Sequence, residues 1–96
     1  MGVGPSIYDF HMQYHNVGGN AVTLEPSDED TAGDVKYFGF VSSFGSWIIM
    51  KMDTTTPTAI TYRYAAGQSG FPTYWSQRAT PGALSYVVFN LINALL

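Results

Sequence analysis

VKYFGFVSSFGSWIIMKMDTTTPTAITYRYA, residues 35–65, contains three apolar-rich runs at 35–42, 47–53 and 59–65. The runs are rich in β-branched and aromatic residues, which favour strands. The links SFGS and TTTPT carry the Gly, Ser, Thr and Pro that are typical of turns. Short runs at this spacing predict a meander of three antiparallel strands.

The central run, WIIMKMD, is apolar on nearly both of its faces. In a strand, alternate residues point to opposite sides. Ile48, Met50 and Met52 therefore share one face, and Trp47, Ile49 and Lys51 share the other. Both faces of the sheet should then be covered, and a neighbouring subunit is one candidate for a cover.

Upstream of the meander, Ile7–His15 alternates in the same way. It predicts a strand with a buried stripe, which we expect to form part of an assembly surface. The glycines of NVGGN, residues 16–20, then predict a turn. A short strand follows at Ala21–Glu25, which Pro26 is expected to end. The stripe consists of Tyr8, Phe10, Met12 and Tyr14.

The polar side of this strand carries His11 and His15, a spacing that on a helix would suit a zinc ion. Strand residues four apart are separated by roughly 13 Å, too far to share a metal ion. One chain alone is therefore predicted to hold no metal there. In a ring or trimer, equivalent histidines from several copies could still meet around a symmetry axis and bind an ion or respond to pH.

Downstream of the meander, residues 66–83 are rich in Gly and Pro and predict a long loop. This loop carries Phe71, Tyr74 and Trp75, which are either buried anchors or a surface that binds glycans. In the tail, residues 83–96, apolar side chains recur at helical spacing, although Tyr86–Phe89 also suits a strand. We expect a short C-terminal helix. The predicted fold is therefore all-β, a small antiparallel β-sandwich or barrel-like module in one domain, residues 1–96, with residues 1–6 as a loose N-terminal arm.

Composition favours assembly. Charged residues are only 11% and aromatic residues 16%, whereas an ordinary domain has about 25% charged residues. A net charge of -3 with four basic residues argues against nucleic-acid binding. The apolar tail is too short to cross a membrane. Among the basic residues, Arg63 and Arg78 either clamp a partner's carboxylate or brace local loops.

The sequence contains no assembled catalytic, cofactor or metal motif, so we expect no enzyme. GQSG, residues 67–70, lacks the nucleophile-elbow pattern, and no phosphate-binding glycine motif occurs. Four acidic residues lie within 28–34, but their spacing does not match a calcium loop. The chain has no cysteine for thiolate sites.

Several short motifs follow one another between residues 45 and 86. They are GSW at 45–47, MK at 50–51, YRYAAG at 62–67, YW with Arg at 74–78, and LSY at 84–86. Their order resembles a pattern of short bacteriophage virion proteins. This chain departs from the pattern where TPGA separates Arg78 from Leu84, and where Trp75 directly follows Tyr74. The resemblance implies a structural component of a phage-like virion.

The predicted function is a structural subunit of such a virion, in its tail, neck or capsid-associated part. It would act by oligomeric assembly with copies of itself and other virion proteins. The alternative is a small β module that binds a host receptor or glycan through residues 71–75. The composition of the chain and the resemblance both favour the first function.

Overall fold

A computed structural model, which describes residues 12–15 and 21–95, contains five antiparallel strands paired in chain order. These are β1 (Met12–His15), β2 (Ala21–Asp30), β3 (Val35–Val41), β4 (Trp47–Asp53) and β5 (Thr61–Gly67). Helix α1 (Phe71–Ser76) and a 3₁₀ helix (Phe89–Ala94) follow. The small all-β class is confirmed. The described residues form one sheet, without the second sheet of a sandwich or the closure of a barrel.

The predicted meander is present as β3, β4 and β5. Its last strand, however, is displaced toward the C-terminus relative to the predicted run 59–65, because it begins at Thr61 and ends at Gly67. The register explains the shift, since Trp47 at the start of β4 pairs with Gly67. The prediction that the loop begins at residue 66 is therefore wrong by two residues.

Strand β2 continues through Pro26, so the prediction that this proline ends the strand is wrong. Pro26 lies opposite Phe40, and Asp28 lies opposite the next partner residue, Gly39, which makes Ser27 an extra residue. A β-bulge of this kind interrupts the ladder and allows a strand to contain a residue that lacks an N–H. Three of the four acidic residues within 28–34, namely Asp28, Glu29 and Asp30, consequently lie at the end of β2.

Both faces of β4 are covered, as the sequence predicted. On one face, which we call the tail face, Leu24, Phe40 and Ile48 are buried together with Ile92 of the 3₁₀ helix. On the other, the helix face, α1 and the segment that follows it pack over buried side chains. The buried residues of the helix face are Tyr37, Trp47, Ile49 and Ala65. The chain itself thus supplies a cover for each face.

The chain passes from the helix face to the tail face at the outer edge of β5. Val87 donates its N–H to the Tyr64 carbonyl at 2.8 Å and accepts the Tyr64 N–H at 2.7 Å. This antiparallel bridge is isolated and involves no other residue of β5. Leu84 and Tyr86 before it pack on the helix face, whereas Ile92 after it is buried on the tail face.

Helix α1 lies within residues 66–83, where the sequence predicted only a loop. Gly70, at φ 79°, directs the chain into the helix, and a proline occupies its first turn, where a missing N–H has no cost. Gly39 on β3 makes room for the helix, since a Cβ atom there would lie 2.6 Å from Cζ of Phe71. The predicted C-terminal helix is found as the shorter 3₁₀ helix.

Candidate functional site

Two of the three aromatic residues singled out on α1 pack against the sheet. Phe71 and Trp75 are one helical turn apart, and their rings stack with centroids 5.8 Å apart. Both rings lie over Gly39 and join the buried cluster of the helix face. This placement favours the anchor interpretation for Phe71 and Trp75 over that of an exposed binding surface.

The third residue, Tyr74, lies on a different side of the helix. Its ring stacks on that of Trp47, with centroids 5.0 Å apart and the ring planes at 28°. Trp47 is 3% exposed, whereas Tyr74 is 40% exposed. Tyr74 therefore presents aromatic surface to solvent from a rigid support and is more exposed than the two half-buried anchors.

An open pocket of about 340 Å³ lies beside this stacked pair. Small residues at the end of β5, Ala65–Gly67, form one wall, and residues 83–85 form the opposite wall. Trp47 and Tyr74 supply the aromatic part of the lining, and Gln68, Ser69 and Leu95 also contribute. No charged side chain is among these described lining residues. The sequence analysis missed this pocket, and the run of small residues AAG was its one local signal.

The pocket exists because the bridge between Val87 and Tyr64 is not extended. Continuing that antiparallel register by two residues would place Ser85 opposite Ala66, yet the bridge remains isolated. Main-chain groups of alternate strand residues point the same way, so Ala66, like Tyr64, directs its N–H and C=O away from β4. Ala66 and Ser85 instead line the pocket from its two sides.

The indole N–H of Trp47 already has a hydrogen-bond acceptor within the chain. Its Nε1–H donates to the Ser69 carbonyl at 2.7 Å, which ties the loop after β5 to the start of β4. Trp47 therefore contributes ring surface to the pocket, while hydrogen bonding there falls to main-chain groups and to serine side chains. The described lining holds serines but no histidine or carboxylate that would activate a serine as a nucleophile.

Arg78 is paired within the chain. Its Nη2 donates to Oδ2 of Asp30 at 2.9 Å, and its Nη1 donates to the Trp75 carbonyl at 2.9 Å. The guanidinium also lies 4.5 Å from the centroid of the Trp75 ring. The hydrogen bond from Arg78, with a further one from the Ala32 N–H, lowers the pKa of Asp30. These contacts favour the loop-bracing alternative for Arg78.

Tyr86 adds a further hydrogen bond at Arg78. Its hydroxyl donates to the Arg78 carbonyl at 2.9 Å, and Lys51 lies 5.1 Å from the centroid of its ring. Burial, with a smaller contribution from nearby Tyr37, raises the pKa of Tyr86 far above the ordinary tyrosine value. The phenol is therefore protonated at neutral pH and serves as a structural donor, not as a base.

Arg63 lies exposed on the edge strand β5, and its Nη1 donates to the Tyr62 carbonyl at 2.8 Å. Near it, apolar side chains of β5 and of the 3₁₀ helix region are 40–51% exposed. Phe89 makes an edge-on contact with Tyr64, with ring centroids 5.0 Å apart, which joins the two elements. We call this surface the apolar patch and define it as Tyr62, Val88, Phe89 and Leu91.

The predicted N-terminal stripe is described only in part. Tyr8, Phe10 and His11 lie outside the described residues. Met12, Tyr14 and His15 belong to β1, so the strand prediction is confirmed for residues 12–15. In the register, Met12 lies opposite Leu24 and His15 lies opposite Ala21.

Comparisons of the chain with protein-family models, curated proteins and solved structures find no match. Among the side chains that the structure describes, no group of three or more from His, Cys, Asp or Glu is placed to hold a metal ion. No helix in that part of the chain is long and apolar enough to cross a membrane. The resemblance to virion proteins stays a prediction.

Proposed function

We propose that this protein is a structural subunit of a phage-like virion and that it acts by assembly, not by catalysis. The apolar patch is the observation that carries the proposal. Its four residues are large and apolar, they come from two contacting elements, and each is at least 40% exposed. Exposed apolar side chains grouped in this way are typical of protein–protein contact sites.

The occupant that we propose for the patch is a second copy of the chain. Closed symmetric assemblies use the same surface on both subunits, and an apolar patch without formal charges is complementary to itself. Packing of two such sheets across the patch would also produce the two-layered arrangement that the sequence predicted. That sandwich would then form between subunits.

The part of the β5 edge at residues 61–63, on the other side of Tyr64 from the pocket, supports the same location. Only Tyr64 of this strand pairs with the C-terminal segment among the described residues, and an unpaired edge invites contact with another chain. The low charged fraction of 11% is consistent with a surface that is covered in the assembled state.

The molar mass in solution tests this proposal. Size-exclusion chromatography with light scattering should show an oligomer for the wild type. A Tyr62→Ser, Leu91→Ser double variant should shift toward monomer because it removes apolar contact area. Phe44→Ser is the matched control, since Phe44 is 87% exposed in the β3–β4 turn, outside the patch. A wild-type protein that is monomeric at all concentrations contradicts the proposal.

Membership of a virion needs its own measurement. Immunogold labelling of purified particles should place the protein on the tail, neck or capsid. Particles that lack the label after the protein has been detected in the same infected cells would overturn the virion assignment, and they would leave the oligomeric state to be decided by the mass measurement.

A further inference from the structure

We propose that the pocket beside Trp47 and Tyr74 binds a neutral saccharide. This function goes beyond assembly and uses a different part of the molecule, since no residue of the apolar patch lines the pocket. The ligand class is inferred from the size of the pocket, its aromatic surface, its hydrogen-bonding groups and its lack of charge.

The volume of the pocket limits the size of the ligand. About 340 Å³ is near the lower end of the range for small-molecule sites, roughly 300–1,000 Å³. Residues 83–85 line the pocket together with Ala66, so an extended peptide strand along Ala66 would meet this segment. A compact ligand of one or two sugar rings fits this space better than a polymer backbone that runs through it.

The two kinds of surface in the pocket match the two kinds of surface on a sugar. The stacked aromatic pair gives an apolar platform, and the exposed part of Tyr74 is held in place by the buried ring of Trp47. The C–H face of a pyranose is apolar and packs on such rings. Its hydroxyl groups both donate and accept hydrogen bonds.

Partners for those hydroxyls lie on the opposite walls. Ala66 offers a main-chain N–H and C=O side by side, and neither is bonded to residues 83–85 among the described residues. Ser85 lies across the pocket with a hydroxyl that both donates and accepts. A saccharide between them would complete the hydrogen bonding that the isolated Val87 bridge leaves unfinished.

The lack of basic side chains in the pocket disfavours acidic ligands. No basic side chain is among the described lining residues, and the net charge of the chain is -3. A carboxylate in the pocket would lose hydration without gaining an ion pair, which is unfavourable. The site should therefore prefer galactose to galacturonate, two sugars that differ only in that acidic group.

The test is an NMR titration of the ¹⁵N-labelled 96-residue chain with glucose, galactose, N-acetylglucosamine, lactose and galacturonate. At least one neutral sugar should produce saturable shifts of the Ala66 amide and the Trp47 indole N–H, and galacturonate should not. Ser85→Ala should weaken binding by about two- to tenfold, the effect of one lost hydrogen bond. Ser43→Ala, in the β3–β4 turn, should leave affinity unchanged.

A second variant distinguishes a loss of binding from a loss of the fold. Ala83 is exposed and lines the pocket, so Ala83→Phe places a ring in the pocket from its exposed side. It should abolish the shifts while the remaining spectrum is retained. Absence of saturable shifts with every neutral sugar up to its solubility limit overturns the proposal. Saturable shifts with an uncharged extended peptide alone would overturn it as well. Neither result depends on whether the protein assembles.

Discussion

Gly67 on β5 lies directly opposite Trp47 on β4, and the indole ring occupies the space next to its Cα atom. A Cβ atom at Gly67 would lie 2.6 Å from Cζ2 of the tryptophan. The same ring is held by its hydrogen bond to Ser69 and by the stacked ring of Tyr74. These contacts hold the indole against Gly67, so this pair fixes the end of the sheet where the pocket lies.

Gly67→Ala should therefore destabilise the fold by about 1–3 kcal/mol, the usual cost of overpacking. Urea unfolding followed by tryptophan fluorescence measures the change. Gly33→Ala is the matched control, because nothing lies within 4 Å of a Cβ atom at that position. Its effect should stay within about 0.5 kcal/mol. Equal stability of the two variants would contradict the packing that the structure shows around Trp47.

The pairing of Asp30 with Arg78 predicts sensitivity to acid. The pKa of Asp30 is lowered in the folded protein, chiefly by the Arg78 hydrogen bond. The stabilisation is present above the unfolded pKa, near 3.9, and is lost as the pH falls through the lower folded value. Asp30→Asn should flatten the acid limb of a stability–pH curve measured by thermal unfolding.

Asp34→Asn is the control for Asp30→Asn, since it removes the same charge from the neighbouring loop. Of Asp34, only the main-chain carbonyl takes part in hydrogen bonds given by the structure, both from Thr54. The stability–pH curve of the Asp34→Asn variant should have an acid limb as steep as that of the wild type. An unchanged acid limb in Asp30→Asn would show that the pair with Arg78 does not contribute to stability.

Tyr86 predicts a complementary loss of stability in alkali. Burial raises its pKa in the folded state, so its stabilisation is fully present below the unfolded pKa, near 10. It is lost as the pH rises from there through the folded pKa, because the unfolded chain releases the proton first. Tyr86→Phe should reduce this alkaline loss and should cost about 0.5–1.5 kcal/mol at neutral pH for the missing hydrogen bond. Thermal unfolding at several pH values above neutrality measures both effects.

How far the sequence predicts this fold depends on whether a feature is local. The apolar, β-branched and aromatic runs of β3 and β4 and the turn residues between them are local features, and the predicted strands agree closely with the observed ones. Helix α1 has six residues, too few to be stable by propensity alone. It forms because Phe71 and Trp75 pack over Gly39, a contact between residues far apart in the chain.

Neither the pocket nor the contacts of Arg78 could be predicted from the sequence, because both depend on residues far apart in the chain. Arg78 and Asp30 are 48 residues apart, and no pattern near either residue identifies its partner. Ser85 reaches the pocket only because Val87 fixes the returning chain on the β5 edge. The sequence left Tyr74 open as either an anchor or part of a binding surface, because its support by Trp47 depends on tertiary packing.

The bridge between Val87 and Tyr64 provides the last prediction, because it is where the chain changes faces. Val87→Pro removes the N–H that donates to the Tyr64 carbonyl and should cost about 1–3 kcal/mol. It should also loosen the 3₁₀ helix, which places Ile92 in the core of the tail face. Val88→Pro is the neighbouring control. Its φ of -65° already suits proline, and its N–H donates no backbone hydrogen bond within the described residues.

Hydrogen exchange and urea unfolding distinguish these two proline variants. In Val87→Pro the Tyr64 amide should exchange faster, and the midpoint of unfolding should fall. In Val88→Pro both should stay near the wild-type values, because a proline at a compatible φ also restricts the unfolded chain. If the two variants lose equal stability, the cost comes from proline in this segment generally, and the single bridge is not what holds the tail across the sheet.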